Sequence, residues 1–193
     1  MVSSPRARVS VDQRQHMART LHATLQSSGV SPEQARRAVY SFFFTDVSAW
    51  CEPDWFTLGY TGWRHASREK VQADLTQLRA KVGPMRLIVG FDPEKRIPGG
   101  GDMAAYDWAM AAPGVVVECL PAPWGVPELD KSAGPYRNGA IVERTLAAVG
   151  GKALLAHLHP ASRGAAGTAA YATFRGLKVI EKLAVMPREE GRR

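Results

Sequence analysis

Hydrophobic and polar positions change their period once along this chain, near residue 55. Ahead of that point Met17, Leu21 and Leu25 recur every four residues and make one narrow apolar stripe, the mark of an amphipathic helix. Ser10-Val11-Asp12-Gln13 reads as its capping box, with Ser10 accepting from the first turn and Gln13 reaching back. Gly29 ends this helix, and Ser31-Pro32-Glu33-Gln34 opens a second that runs through Ala35, Ala38, Val39 and Phe42. Proline suits the first helical position because its missing N–H has no partner there anyway. After a loop holding Trp50, Cys51 and Pro53, strands and helices alternate. Strands are expected at Trp55–Tyr60, Met85–Val89, Val115–Leu120, Ala153–Leu158 and Leu177–Leu183. Helices are expected at Ser67–Ala80, Asp102–Ala112, Tyr136–Val149 and Thr168–Arg175.

This alternation predicts an α/β fold, a Rossmann-like parallel sheet of about five strands with helices on both faces, preceded by a two-helix N-terminal appendage. The expected divisions are a flexible start over residues 1–9, the helical appendage over 10–50, the α/β domain over 55–183 and a flexible tail over 184–193. In such sheets ligands bind beyond the carboxyl ends of the strands, where the strand order reverses.

Composition changes this picture little. Hydrophobic residues make up 45% and charged residues 22%, as in ordinary globular proteins. No apolar stretch approaches the ~20 residues of a bilayer span, and no secretory leader is visible, so a cytoplasmic protein with no membrane partner is expected. The net charge of +7 is spread along the chain rather than gathered on one element. A dedicated nucleic-acid binder clusters its basic residues, so nucleic acid ranks as a disfavoured partner and a helix-turn-helix DNA contact ranks lower still. Cys51 and Cys119 lack metal-ligand spacing, and Cys119 reads as core.

Chemistry gathers in the segments that leave the strand ends. These are Gly59-Tyr60-Thr61-Gly62-Trp63-Arg64, Pro98-Gly99-Gly100-Gly101-Asp102, Pro121-Ala122-Pro123-Trp124 with Gly134-Pro135-Tyr136-Arg137-Asn138, and Ser162-Arg163-Gly164-Ala165-Ala166-Gly167-Thr168. All are placed on one edge of the sheet. Glycines let backbone approach an anion, and helix starts offer free N–H groups. Arg64, Arg137 and Arg163 add bidentate donors. Thr61 and Thr168 offer hydroxyls, while Asp102 or Asn138 would accept from a ribose or a base. The expected binding set is therefore Gly59, Thr61, Gly62, Arg64, Gly100, Gly101, Asp102, Gly134, Arg137, Asn138, Arg163, Gly164, Gly167 and Thr168, with no catalytic or metal residue assigned. The segment Phe91–Ile97 lengthens one loop into an expected lid. Trp63 and Trp124 are candidates for stacking on a base. His157 and His159 share one strand face, as a phosphate contact ahead of a metal pair.

Taken in order, these motifs resemble the SLOG superfamily, and within it the YspA/YpsA-related family of bacteria and their phages. The resemblance runs from Phe56 to Leu183. It rests on Gly59 to Arg64, on Gly100-Gly101-Asp102 with Trp108-Ala109, on Pro121 to Trp124, on Gly134-Pro135-Tyr136-Arg137-Asn138, and on Arg163 to Thr168. It implies a Rossmannoid fold that binds a nucleotide or a nucleotide-derived small molecule, often as a homo-oligomer. Superfamily enzymes that cleave ribose phosphate from nucleoside monophosphates place a glutamate shortly after the glycine-rich turn. Here Thr168 is followed by Ala169-Ala170-Tyr171. That departure favours binding without turnover, as a sensor or sequestering module. A nucleoside-phosphate hydrolase or transferase is the alternative, and a single-stranded DNA accessory protein comes third.

Overall fold

The two strand runs with the highest density of valine, isoleucine and leucine fall where the pattern places them. Continuous runs of this kind suit strands covered on both faces. The computed structural model describes residues 20–35 (apart from 22 and 33), 54–93, 100–122 and 130–186. Its elements are β1 (Phe56–Gly62), α1 (Arg68–Val82), β2 (Met85–Val89), α2 (Gly101–Ala111), β3 (Val115–Cys119), a 3₁₀ turn (Asp130–Ser132), α3 (Ala133–Leu146), β4 (Lys152–Leu158), α4 (Arg163–Phe174) and β5 (Val179–Leu183). The five strands form one sheet in the order β3-β2-β1-β4-β5. Every pairing is parallel. This is a Rossmann-like α/β arrangement. Its strand order reverses at β1, which lies between β2 and β4.

Strand parity sorts the core into two layers. Leu58, Tyr60, Leu87, Val89, Val117 and Leu155 pack with Val71, Leu75, Ala105 and Trp108 from α1 and α2. The opposite parity sends Ile88 and Leu154 against Ile141 and Val142 of α3 and Ala172 of α4. Burying one such aliphatic side chain stabilises the fold by ~1.5–3 kcal/mol. Gly59 belongs to this second layer. A Cβ there would lie 2.6 Å from Thr145 Oγ1 and 3.0 Å from Leu154 Cδ1. The glycine lets α3 approach the middle of β1. On the same face, the buried Glu118 of β3 accepts from Arg86 Nε of β2 at 2.8 Å through Oε2 and from Nε of the exposed Arg144 of α3 at 2.9 Å through Oε1.

Several element ends depart from the sequence expectation by one to five residues, and four of these departures have a clear local reason. β1 continues through Thr61 and Gly62, because this central strand is paired on both sides and Gly62 still opposes His157 of β4. α3 begins at Ala133, three residues before the expected Tyr136; Pro135 sits in its first turn, where no N–H is required. α4 begins at Arg163, so Gly164 to Thr168 are helical rather than a loop. Order also continues past Leu183: Ala184 is buried and donates to the Leu158 carbonyl at 2.8 Å, while the Val185 carbonyl accepts from Ser67.

Of the N-terminal appendage, the described part is helical up to Ser27 and turns at Gly29, whose φ is 81°. Val30 N–H donates to Leu25 O and Gly29 N–H to Gln26 O, the paired bonds of a Schellman cap. Ser31 and Gln34 then form the reciprocal capping box, each backbone N–H donating to the other's side chain at 3.3 Å. Leu21 packs against the first core layer. The Ser10–Gln13 box, Val39, Phe42 and the Trp50–Pro53 loop lie outside the described residues. Among the described residues no helix is long and apolar enough to cross a membrane.

Candidate functional site

Where β1 and β4 part at their carboxyl ends, the first turns of α2 and α4 face each other. Between them lies a cleft of about 700 Å³. Its walls are Thr61 to His65 after β1, Gly100-Gly101-Asp102 at the start of α2, Arg137 and Asn138 from α3, and Ala161 to Ala165 at the start of α4. Ten of the fourteen expected binding residues are brought together here: Thr61, Gly62, Arg64, Gly100, Gly101, Asp102, Arg137, Asn138, Arg163 and Gly164.

The remaining four lie elsewhere. Gly59 is under α3, as described above. Gly134 is in the first turn of α3, off the cleft wall. Gly167 and Thr168 sit one turn along α4 and line an adjoining groove of about 360 Å³ between α3 and α4, with Pro135, Gly139 and Tyr171. Thr168 spends its hydroxyl inside its own helix, donating to Gly164 O at 2.8 Å. Asn138, Arg163 and Gly164 border both spaces, so groove and cleft are continuous.

Two of the helix starts facing the cleft are left open. The caps of α2 (Gly100) and α4 (Ser162) make no side-chain hydrogen bond to the helix. In α1, by contrast, Ser67 accepts from Lys70 N–H at 3.2 Å. In α2 the Gly101 N–H is taken by the Trp63 carbonyl at 3.1 Å, so what α2 and α4 offer the cleft is the positive end of the helix dipole and the first-turn N–H groups that follow. Gly101 makes the close seating of α2 attainable. A Cβ there would lie 2.6 Å from the Tyr60 hydroxyl and 3.2 Å from Gly62 Cα.

Arg137 is held across the cleft floor. Its Nη1 donates to the Gly90 carbonyl and its Nε to Asn138 Oδ1 at 2.8 Å. A Cβ at Gly90 would fall on the guanidinium, so this glycine is what lets Arg137 lie there. The sequence reading missed Gly90, although a glycine directly after the Met85–Val89 run was its available signal. Asp102 stands 3.7 Å from Arg137 through Oδ2 and accepts a backbone hydrogen bond from Gly62. Its Oδ1 is shut from solvent and has no hydrogen-bond partner among the described residues. Burial pushes the Asp102 carboxyl up to about 6, and the Arg137 charge and the Gly62 N–H only partly offset that.

Beneath this floor runs a buried polar layer that was not legible as a unit. The Tyr60 hydroxyl is fully enclosed and unpartnered among the described residues. Burial first, and then the charges of Asp102 and Asp74, hold its proton on well beyond the ordinary phenol range. The His157 ring lies 5.6 Å from the Tyr60 ring and shares a hydrogen bond of 3.0 Å with Asp74 Oδ2. Burial lowers the His157 pKa against the opposing pull of Asp74. Burial would raise Asp74, yet its bonds from Lys70 and His157 hold it low.

Several expected roles are placed differently by these contacts. His157 is fully buried and off the cleft wall, so it does not reach a phosphate there. His159 stacks on Trp63, with centroids 3.7 Å apart and planes within 6°, and its Nδ1 accepts from Ala161 N–H. One face of Trp63 is therefore already covered by protein. Cys119 is buried in β3. Of the expected lid, residues 94–97 lie outside the described residues, as does Trp124. No family model, no curated protein and no solved structure matches this chain.

Proposed function

We propose that the protein binds a nucleotide or nucleotide-derived anion in this cleft, as a sensor or sequestering module of the kind that its resemblance to the SLOG superfamily implies. The observation that carries the reading is the convergence of two uncapped helix starts with Arg64, Arg137 and Arg163 at the point where the strand order reverses. Backbone N–H groups at helix ends and guanidinium forks are the donors that phosphate accepts best. The adjoining groove, walled by Pro135 and Tyr171, gives a base an apolar place beside the anion site. Tyr171 is fixed there, its hydroxyl donating to Glu143 at 2.7 Å. Self-association belongs to the same proposal: Phe174 and Leu183 are 84% and 71% exposed.

Calorimetric titration with a panel of nucleoside phosphates tests the reading, together with native mass spectrometry of protein purified from its own host. Binding is expected, with Arg163→Ala weakening it by about tenfold or more, the loss of one charge-assisted hydrogen bond. No heat, no melting shift and no retained small molecule across the panel would overturn it. A second reading draws on Asp102, whose carboxyl titrates near 6 at the cleft wall. A group of that kind serves general acid–base chemistry near neutral pH. Release of a free base from a nucleoside monophosphate, lost in Asp102→Asn, would establish a hydrolase or transferase instead.

A further inference from the structure

The edge of the sheet at β5 carries a surface that the cleft does not use. β5 is the last strand in the order, with no strand on its far side among the described residues. It is pinned at both ends. Lys178 O accepts from Leu154 N–H and Ala184 N–H donates to Leu158 O, each at 2.8 Å, and the Val185 carbonyl accepts from Ser67. Even-numbered residues therefore spend their backbone groups on β4, and Val179, Glu181 and Leu183 turn theirs outward. A fixed row of unused donors and acceptors is a template for another strand.

Side chains give this edge its chemical character. Between α1 and β5 runs a groove of about 420 Å³, with Leu78, Leu155 and Ile180 as its apolar lining. Lys81 of α1 and Lys178 and Lys182 of β5 line it too. Among the described residues of this lining Asp74 is the only acidic one, and it is already bonded to Lys70 Nζ at 2.7 Å and to His157 at 3.0 Å. The three lysines have no ion-pair partner among the described residues. Lysines guard many edge strands against aggregation. Guarding accounts neither for the apolar lining nor for Lys81, which lies on a helix.

Edge-to-edge pairing with a second copy is opposed by charge. Antiparallel pairing of two β5 strands sets outward residues opposite outward residues, and only three registers overlap by more than one residue of the strand. Centred on Ile180, Lys178 meets Lys182; centred on Glu181 or on Lys182, that residue meets its own copy. Like charges directly opposite destabilise a strand pair. An acidic strand meets the reverse situation, because Lys178, Ile180 and Lys182 lie on one face at every second position.

We infer that the β5 edge takes up an extended acidic segment of a partner protein as a sixth strand, with two carboxylates four residues apart on Lys178 and Lys182 and an apolar side chain between them over Ile180. Lys81 adds a third positive charge on the α1 side of the groove. Main-chain bonds to the outward groups supply affinity in such a mode, and the alternate side chains supply specificity. The groove shares no lining residue with the cleft, so this inference stands or falls apart from the anion-binding reading.

The probe is a fluorescein-labelled heptapeptide, Thr-Glu-Thr-Val-Thr-Glu-Thr, titrated with the full chain by fluorescence anisotropy at low salt. One control carries lysine for both glutamates, and a second sets the glutamates side by side, so that they fall on opposite faces. Two more are N-methylated on alternate residues, one for each phase. The glutamate peptide is expected to bind at least about tenfold more tightly than the first two controls, and more weakly as salt rises. One N-methylation phase should abolish binding by removing the N–H groups that pair with β5, and which phase does so gives the strand direction. Lys178→Glu together with Lys182→Glu, at an exposed and a half-buried position, should weaken the glutamate peptide by about tenfold and reverse the preference toward the lysine peptide. Failure of the glutamate peptide to bind, equal binding of the lysine peptide, or indifference to both N-methylation phases overturns the inference. So does a dimer of the full chain whose formation excludes the peptide, which would give the edge to a second copy.

Discussion

Asp102 should make the unliganded protein less stable than it need be, and the size of that cost follows from its surroundings. The carboxyl ordinarily titrates at 3.8 and is pushed up to about 6 in the fold. At about 1.4 kcal/mol per pH unit, that gap corresponds to ~3 kcal/mol of native-state destabilisation once the group is ionised. Because the folded pKa is the higher one, the native state binds the extra proton between these values, so stability falls as pH rises from 3.8 to about 6 and stays low above it. Asp102→Asn removes the charge and keeps an oxygen for the Gly62 N–H. It also removes the 3.7 Å partner of Arg137, a pair exposed enough to contribute only ~0.2–1 kcal/mol. The side chain is 28% exposed, and solvent reaching Oδ2 trims the gain further. The net expectation is a stabilisation of about 1–2 kcal/mol at pH 8, or ~2–8 °C in Tm for a chain of this size. The assay is paired thermal and urea melts of both proteins at pH 8 and pH 4. The variant should melt higher at pH 8 and lose most of its advantage at pH 4. A variant that melts lower at pH 8, or one whose advantage is the same at both values, would refute the reasoning.

Gly90→Ala should displace the Arg137 guanidinium, the movable end of a side chain, so the fold should lose under about 1 kcal/mol while nucleotide affinity drops about tenfold; unchanged affinity would show that Arg137 needs no such cradle. Glu118→Ala leaves Arg86, whose side chain is only 12% exposed, without its counter-charge and should cost ~3 kcal/mol or more by urea denaturation; a loss below about 1 kcal/mol would sink the idea that this cluster is a paired buried charge. His157 has its folded pKa below the ordinary 6.5, so its contribution is fully present above that value and is lost as pH falls through it. An NMR titration of the His157 ring should give a midpoint below 6.5, and a midpoint above it would mean that Asp74 rather than burial governs the ring.

Local pattern carried the sheet better than it carried the helix starts. β2 was placed residue for residue, because Met85-Arg86-Leu87-Ile88-Val89 is a short apolar run between Gly83-Pro84 and Gly90. α4 was started five residues late, because Gly164 and Gly167 read as turn residues. They are tolerated in the helix because they lie within or next to its first turn and face open space: a Cβ at Gly167 would meet nothing within 4 Å. Of the candidate site, the residues next to their own strand ends were legible, since a parallel sheet puts all those ends on one edge. Gly59 was misjudged because its neighbour, Thr145, comes from a helix far along the chain. The buried layer of Tyr60, His157 and Asp74 depends on β1 lying beside β4, which no local period encodes.

That same neighbourhood sets the order in which the protein can come into being. Thr57 of β1 pairs with Lys152 of β4, so the seam that floors the cleft joins the first strand of the sheet to the fourth. Contacts so distant in sequence close slowly and late. A chain emerging from synthesis can assemble β3-β2-β1, with Arg64, Asp102 and Arg137 already present, while the wall carried by Ser162 to Ala165 does not yet exist. Through that interval β1 is an open edge with unpaired backbone groups, the surface most prone to wrong partners. Completion of the sheet and completion of the cleft are therefore a single late event, and a chain that stops before β4 would carry most of the charged residues of the site and none of its enclosure.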